Sequence, residues 1–302
     1  MRSVKVRGVR LLGVEAALGA KEVDNYLTCK LLFGDKAEAI LKTTGILKRR
    51  VADEGETSLS LCVKAAKKLM ARLGTKPEEI AGVVSVTFTP RFQMPGNAQL
   101  AQRELGLASD VAAIDLDHAC AGYPYALYVA ARLAQDLGGK VLVLDGDVQT
   151  RLADASTAAL LSDAGSATLI EPGGDEEWKF AFWTDGVRAD DLKVEGGKIR
   201  MDGFGVFRFV AGDVSKWTEE FMAGERVEAF VPHQANVYMV KELAKQLGLE
   251  DKVAITGHEV GNCASASIPV TLARTVKDGQ KRRTLLVGFG GGLSAAMAII
   301  DA

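Results

Sequence analysis

The segment Val111-Ala112-Ala113-Ile114-Asp115-Leu116-Asp117-His118-Ala119-Cys120-Ala121-Gly122-Tyr123-Pro124-Tyr125-Ala126-Leu127-Tyr128-Val129-Ala130-Ala131 opens apolar, turns polar around one cysteine, and closes apolar again. The run 111–116 predicts a buried strand, 117–122 a tight turn, and the remainder, up to Gln135, a helix. A helix apolar on all sides belongs in an interior. Pro124 is tolerable only in a first turn, which predicts a helix start near Cys120. A thiol at a helix N-terminus faces unpaired N–H groups and the positive end of the helix dipole. Both favour thiolate, the nucleophilic form. The same pattern fits a small core cysteine, so the rest of the chain decides between the two.

The chain has 302 residues, 48% hydrophobic and 25% charged. That is material for one large domain or two fused ones. A net charge of −2 gives no reason to expect nucleic acid or an anionic membrane as the main partner. Cys29, Cys62, Cys120 and Cys263 are widely spaced, with no CxxC pair and no His/Cys cluster. That argues against structural zinc and a disulfide framework, and fits a reducing cytoplasm. At the start, Val4 and Val6 alternate with charge, which predicts a first strand rather than a signal peptide. No apolar run is long enough to span a membrane.

Outward from the Cys120 segment the elements alternate. Val4–Val14 reads as strand, residues 22–42 as short helices, and Thr43-Thr44-Gly45 as a turn before the basic group Lys48-Arg49-Arg50. A helix is predicted over Thr57–Leu73, with Leu59, Val63, Ala66, Met70 and Leu73 on one face and Gly74 ending it. Cys62 belongs to that face and reads as core. Val83–Thr89 reads as a strand stopped by Pro90, and the loop Arg91–Gly96 feeds a helix ending at Gly106. Strands are expected at Val141–Leu144 and Ala167–Ile170. The acidic, Gly-rich segment Glu171-Pro172-Gly173-Gly174-Asp175-Glu176-Glu177 reads as a link, dividing the chain into halves 1–171 and 172–302. The second half repeats the order. It has strands at Phe180–Trp183, Val227–Val231, Val253–Thr256, Thr284–Val287 and Ala295–Ile300, and helices around Val214–Met222, Ala235–Leu247 and Ser267–Val276. Both halves read β-α-β-α-β-α-β-β. Such alternation implies α/β architecture with ligands at the C-terminal ends of strands.

Four loops fall at strand ends of that kind. They carry Cys120, His233 (in Val231-Pro232-His233-Gln234-Ala235-Asn236), Asn262 (in Gly261-Asn262-Cys263-Ala264-Ser265) and the glycine run Gly288-Phe289-Gly290-Gly291-Gly292. Cys120 and Asn262 hold equivalent places in the two halves, so halves packed face to face bring them together. Simpler readings exist: a hydrogen-bonded structural histidine, and an asparagine that caps the next helix. The glycine run is not a dinucleotide or phosphate loop, because position 293 is Leu and no Lys-Ser/Thr follows. A tight glycine turn instead lets a backbone N–H approach a ligand closely.

Together Asp117-His118-Ala119-Cys120-Ala121-Gly122, Pro232-His233-Gln234-Ala235-Asn236, Gly261-Asn262 with Ser265-Ala266-Ser267-Ile268-Pro269, and Gly288–Gly292 resemble the signatures of β-ketoacyl-acyl-carrier-protein synthase III, a condensing enzyme of the thiolase-like fold. Thr44-Gly45-Ile46 with Arg49-Arg50, Leu161–Gly165 and Met201–Phe207 add to the likeness, which covers nearly the whole chain. The resemblance implies two pseudo-repeated halves in a layered α-β-α-β-α arrangement. It implies fatty-acid initiation chemistry: Cys120 takes the acyl group of a starter thioester, and the N–H groups of Cys120 and Gly291 form an oxyanion hole. His233 and Asn262 stabilise the enolate left when a malonyl-carrier thioester loses CO₂, and that enolate attacks the acyl group. No metal or redox cofactor is implied. Partners implied are an acyl-carrier protein, an acyl thioester starter and a second copy of the chain, since Met94 matches a loop residue that enters the partner's acyl pocket. Arg151 and Phe207 are implied as substrate contacts.

Two departures bear on the substrate. The family's aromatic and arginine that grip the coenzyme A adenine fall at Ala39 and Thr43 here, and Tyr238 stands where a basic carrier-binding residue is usual. Tyr238, Lys241 and Lys245 share a helix face by 3-and-4 spacing, as either a carrier-docking patch or an ordinary solvated face. The lost coenzyme A grip keeps open a specialised acyltransferase or secondary-metabolite synthase of the same fold, and a non-catalytic scaffold is a third reading. A biosynthetic thiolase is disfavoured, because the glycine turn holds no second cysteine and Cys263 is the only candidate.

Overall fold

The computed structural model of the chain describes residues 2–276 and 281–302. A long strand β1 (Ser3–Leu18) and short β2 (Lys21–Asp24) lead to helices α1 (Asn25–Phe33) and α2 (Ala37–Thr44), after which β3 (Lys48–Val51) pairs back on β2. Then follow α3 (Ser58–Leu73), β4 (Ile80–Val86), α4 (Asn97–Leu105), β5 (Ala112–Leu116), α5 (Gly122–Leu137), β6 (Lys140–Asp147) and β7 (Ala164–Thr184). A hairpin of β8 (Leu192–Glu195) and β9 (Lys198–Met201) precedes α6 (Gly203–Arg208), which continues through a π-helical segment, Phe209–Val214, into α7 (Ser215–Met222). The chain closes with β10 (Ala229–Pro232), α8 (Val237–Gln246), α9 (Gly257–Val260), α10 (Ser267–Thr275), β11 (Arg283–Gly290) and β12 (Ser294–Asp301). Local chemistry accounts for the helix ends. Thr57 caps α3 by accepting from Ser60 N–H while the Ser60 hydroxyl accepts from Thr57 N–H, and Gly74 closes the helix in the left-handed conformation.

The strands form one mixed sheet in the order β10-β11-β12-β7-β6-β4-β5, with β1 antiparallel to β7. Alternation along the strands sorts the layers. Val141 and Val143 of β6 pack into the cluster that contains Tyr123, Leu127 and Ala131 of α5 and Ile268 and Leu272 of α10. Leu142 and Leu144 face the other way, onto α3 and α4. In β11, Leu286 joins the α5 cluster, while Leu285 and Val287 pack with Trp217 of α7 and Leu243 of α8. Helices α5 and α10 are therefore the filling between two strand layers, and the other helices cover the outsides. This is the layered α-β-α-β-α arrangement expected. Helix α5 is buried along Ala126, Leu127, Ala130, Ala131 and Ala134, as its composition requires, but Tyr125, Tyr128, Val129 and Arg132 are only half-buried.

Three expectations are corrected. The segment 171–177 is not a loop: it lies within β7, whose first part pairs with β6 and whose last part pairs with β12. Its acidic residues are cross-strand partners of basic residues of β1, Glu171 with Arg10 and Glu177 with Lys5 and Arg7. Read without its partner strand, the run resembles a solvated linker. The boundary drawn at 171/172 thus falls inside a strand. Second, β4 stops at Val86, before Pro90 acts, because Asp147 Oδ1 draws in the Thr87 and Thr89 hydroxyls and the N–H groups of Phe88 and Thr89. Third, 253–256 makes only a single bridge, Phe230 to Val253. Gln234 takes over the ladder's work there: its Oε1 accepts from Thr256 and Gly257 N–H and its Nε2 donates to Ala254 O. Among the described residues no helix is long and apolar enough to cross a membrane.

Because Leu142 is fully buried between β6 and the outer helices, Leu142→Ala is expected to lower unfolding free energy by about 2–5 kcal/mol. Denaturant titration checks this; a loss below about 1 kcal/mol would contradict the layer assignment.

Candidate active site

Cys120 lies in the turn between β5 and α5, two residues before the first residue of the helix. Helix start and Pro124 thus agree with the sequence reading. Gly122 lets the turn pack: a Cβ there would stand 2.5 Å from Val86 Cγ1. From the other side β11 closes on the cysteine. A Cβ at Gly288 would meet Cys120 O at 2.9 Å, and one at Gly290 would meet Cys120 Cβ at 2.7 Å and Sγ at 3.2 Å. Gly290 is therefore the residue packed on the cysteine. Gly291 sits one step on, with Ala119 Cβ as the nearest atom its own Cβ would meet, at 3.6 Å.

His233 follows β10 and is 2% exposed. Its Nδ1 lies 2.7 Å from Ser267 Oγ at the start of α10, and that oxygen accepts Gln234 N–H. Asn262 is held by its backbone and oriented by its side chain. Asn262 N–H donates to Leu160 O, and Asn262 O accepts from Ser162 N–H and from Gln149 Nε2. Its Oδ1 accepts from Ala264 N–H at 2.9 Å while Nδ2 donates to Ala235 O at 3.3 Å. The Oδ1 bond closes a local turn and is not a helix cap, since Cys263 and Ala266 hold the N-cap positions that follow, neither with a side-chain cap; Ala264 turns into the left-handed region at φ 52. Gly261 must be glycine: its φ is +72, and a Cβ would stand 2.3 Å from Ser162 Oγ. Arg49, buried, donates to Leu161 O and Asn25 Oδ1, which fixes the same Leu160–Ser162 segment.

A cavity of about 490 Å³ is lined by Cys120, His233, Asn262 and the turn Gly290–Gly292 together. The expected meeting of the four loops is thus present. Its remaining wall is mostly apolar, with Leu161, Leu192, Val194, Ile199 and Phe289 among its members. A second cavity, of about 810 Å³, shares Phe88, Asp117 and Val194 with the first. The other anticipated residues lie outside the Cys120 cavity. Arg151 lines the second cavity and donates through Nη2 to the carbonyls of Asp53, Glu54 and Glu56. Phe207 stacks on Tyr238, with ring centroids 6.3 Å apart, and its neighbour Val206 lines the cavity instead. Met94 is 86% exposed. Tyr238, Lys241 and Lys245 are all exposed on α8, and neither lysine makes an ion pair with a described residue. Thr43 Oγ1 donates to Ala39 O within α2.

The electrostatics reverse one expectation. Burial pushes the Cys120 thiol up to about 12, and the carboxyls of Asp147 and Asp145 add to this. The helix end does not outweigh that desolvation, so the resting residue is a thiol rather than a thiolate. Burial likewise lowers His233 to about 3, against a backbone hydrogen bond with Ala264, and leaves a neutral imidazole. Asp145 and Asp147 are both fully buried; burial raises Asp147 to about 7 and Asp145 well above the carboxylate range. Asp145 accepts from Ser265 Oγ at 2.5 Å. Their spacing of two at the end of an apolar run marks one strand face, a signal available in the sequence but unused. Ser267, Ser265 and Gly290 were also within the quoted motifs without an assigned part. All four cysteines are free, and Cys62 and Cys263 are buried with their thiols raised by burial.

Thiolate, not thiol, reacts with iodoacetamide. Alkylation of Cys120 in the free protein is therefore expected to be slow at pH 7 and to rise about tenfold per pH unit up to pH 10. A plateau near neutrality, measured by peptide mass spectrometry, would contradict the neutral-thiol reading.

Comparison with known proteins agrees with this geometry. Residues 114–186 match the family model for 3-oxoacyl-[acyl-carrier-protein (ACP)] synthase III, and residues 219–302 match the model of its C-terminal part. The β-ketoacyl-[acyl-carrier-protein] synthase III of Staphylococcus aureus strain Newman is 32% identical over 96% of this chain and 98% of its own. The crystal structure of a 3-oxoacyl-(acyl-carrier protein) synthase from Burkholderia xenovorans LB400 superposes with a TM-score of 0.95, at 31% identity, covering 100% of this chain and 96% of the other. A priming β-ketosynthase from the R1128 polyketide biosynthetic pathway gives 0.89 at 31% identity, over 99% and 98% of the two chains. With a cysteine, a neutral histidine and an oriented asparagine on one cavity, and likeness along nearly its full length, the chain belongs to the 3-oxoacyl-[acyl-carrier-protein] synthase III family.

Proposed function

We propose that the protein joins an acyl thioester starter to a malonyl-carrier thioester by decarboxylating Claisen condensation, giving a 3-oxoacyl product as in fatty-acid initiation. The observation that supports this most is the shared cavity of Cys120, His233 and Asn262. In the first step Cys120 Sγ attacks the starter carbonyl, the bond to the carrier sulfur breaks, and the cysteine's proton ends on the leaving thiol. The N–H groups of Cys120 and Gly291 meet the developing oxyanion. In the second step the malonyl carbonyl binds beside His233 and Asn262. Loss of CO₂ leaves an enolate, which attacks the acyl carbonyl on Cys120. The Cys120 sulfur leaves and regains a proton. The reaction balances without a metal or redox cofactor.

The neutral state of His233 suits the second step. Ser267 Oγ accepts Gln234 N–H, so its own proton is free for His233 Nδ1. That arrangement favours the tautomer with the proton on Nε2, a donor for the thioester oxygen. Asn262 Nδ2 keeps a second N–H beyond the one given to Ala235. Two neutral donors in a largely apolar cavity stabilise a developing enolate without neutralising it by proton transfer.

The partners follow the same reading. An acyl-carrier protein, acidic as a class, docks at the exposed face of Tyr238, Lys241 and Lys245. A homodimer is supported by β5, the terminal strand of the sheet order, and by the exposure of Met94; Met94 then reaches the partner's acyl cavity. Arg151 acts at the second cavity by holding the loop at 53–56, and Phe207 supports the wall through Tyr238 and Val206. A cytoplasmic location is supported by four free cysteines.

Cys120→Ala is expected to abolish acyl-enzyme formation by intact mass. His233→Ala and Asn262→Ala are expected to acylate but to release CO₂ from malonyl carrier about 10²–10³ more slowly. Acylation that persists in Cys120→Ala, or CO₂ release unchanged in both other variants, would overturn the assignment.

A further inference from the structure

The wall of the cavity next to Cys120 carries two polar side chains that the condensation leaves unused. Asp117 and His118 immediately precede Ala119 and the nucleophile, and both line the cavity. His118 is half-buried and stacks on Tyr125, with centroids 4.3 Å apart and planes at 14°; Tyr125 in turn stacks on Phe182 at 4.5 Å. That stack fixes the plane of the imidazole and leaves its two nitrogens on the ring edge. Neither His118 nor Asp117 makes a hydrogen bond to another described residue, in contrast to His233, which is tied to Ser267. Burial lowers the His118 pKa, so the ring is a neutral donor and acceptor, with Asp117 opposing that shift as the nearest charge.

An apolar acyl chain gives no account of this pair. The cavity wall is mixed, with Leu161, Leu192 and Phe289 beside polar members such as Gln149, Thr184 and Lys193. A plain alkyl chain laid against the Asp117–His118 pair displaces water from it without replacing the hydrogen bonds. Asp117 also lines the second cavity, together with Phe88 and Val194. Asp117 therefore stands on the wall shared by the two spaces, with His118 next to it on the Cys120 side. A carboxylate accepts hydrogen bonds and repels anions, so the group it meets is a donor that is not negatively charged.

We infer that Asp117 and His118 bind a hydroxyl or amino group on the starter acyl chain close to its thioester, so that the preferred starter is a polar-substituted acyl group rather than a plain alkyl one. This rests on the reading that Cys120 is the acylated residue. A simple fatty acyl group fills the apolar wall but leaves both side chains without partners. A hydroxyacyl group gives Asp117 a donor and His118 either a donor or an acceptor. A starter ending in a free carboxylate is disfavoured by Asp117.

The test compares acylation rates of Cys120 with butanoyl-CoA, 3-hydroxybutanoyl-CoA and succinyl-CoA, followed by intact mass. The hydroxyacyl starter is expected to exceed the plain one in kcat/KM by about tenfold or more, with the anionic starter last. Asp117→Ala, at an exposed position, and His118→Phe, which keeps the ring stack on Tyr125, are each expected to bring the hydroxy-to-plain ratio toward one. A ratio near one in the wild-type protein overturns the inference, as does a ratio that survives both substitutions. Preference for succinyl-CoA overturns it as well. No acylation of Cys120 by any thioester would instead count against the proposed condensation itself.

Discussion

Strand β11 and the Cys120 turn approach each other so closely that side chains are excluded from the contact. Gly288 faces the carbonyl of Cys120 and Gly290 faces its Cβ, each at a distance no Cβ tolerates. This contact joins chain segments more than 160 residues apart in the sequence, and it sets where the rest of the site must be. β10 lies parallel to β11, which brings the end carrying His233 alongside. Asn262 reaches the same place by a different route, clamped through its backbone to Leu160–Ser162. A catalytic group within a few tenths of an ångström of its working place needs a rigid support, and here the support is backbone against backbone.

The site so formed is neutral at rest. Desolvation raises the thiol and lowers the imidazole, so the sulfur keeps its proton and the ring stays uncharged. Such a site spends nothing on holding an ion pair out of water. Its polar groups act only when negative charge develops on a substrate oxygen, and in a low-dielectric cavity that interaction is strong. A reactive resting thiolate would invite alkylation and oxidation; a thiol held in its protonated form at rest avoids both.

Much of this was legible in the sequence because it rests on short, local patterns. The apolar run, cysteine turn and Pro124 marked the nucleophile's strand and helix, the loop after β10 marked His233, and the Gly261-Asn262 pattern marked Asn262 although the strand expected before it is a single bridge. What the sequence hid was long-range. The acidic run at 171–177 reads as a linker until β1 supplies Lys5, Arg7 and Arg10 opposite it. The end of β4 reads as the work of Pro90 until Asp147 is seen to gather the Thr87–Thr89 turn. The raised thiol was hidden for the same reason. A helix end is visible in the sequence, but the burial and the two carboxyls of β6 that outweigh it depend on three-dimensional packing. That Gly290 is the glycine packed against Cys120 depends in the same way on the register of β11.

The family's reaction is thus carried on a site with its own character. Ala39 and Thr43 stand where a coenzyme A grip is expected, and Asp117 and His118 add polarity beside the nucleophile. The central claim is that the Cys120 sulfur carries the acyl group with its carbonyl held by the backbone. A crystal of the protein soaked with an acyl thioester tests it most directly. Continuous electron density from Cys120 Sγ to the acyl carbon is predicted, with the carbonyl oxygen about 3 Å from the N–H groups of Cys120 and Gly291. Density on another cysteine, or a carbonyl turned away from both N–H groups, would contradict it.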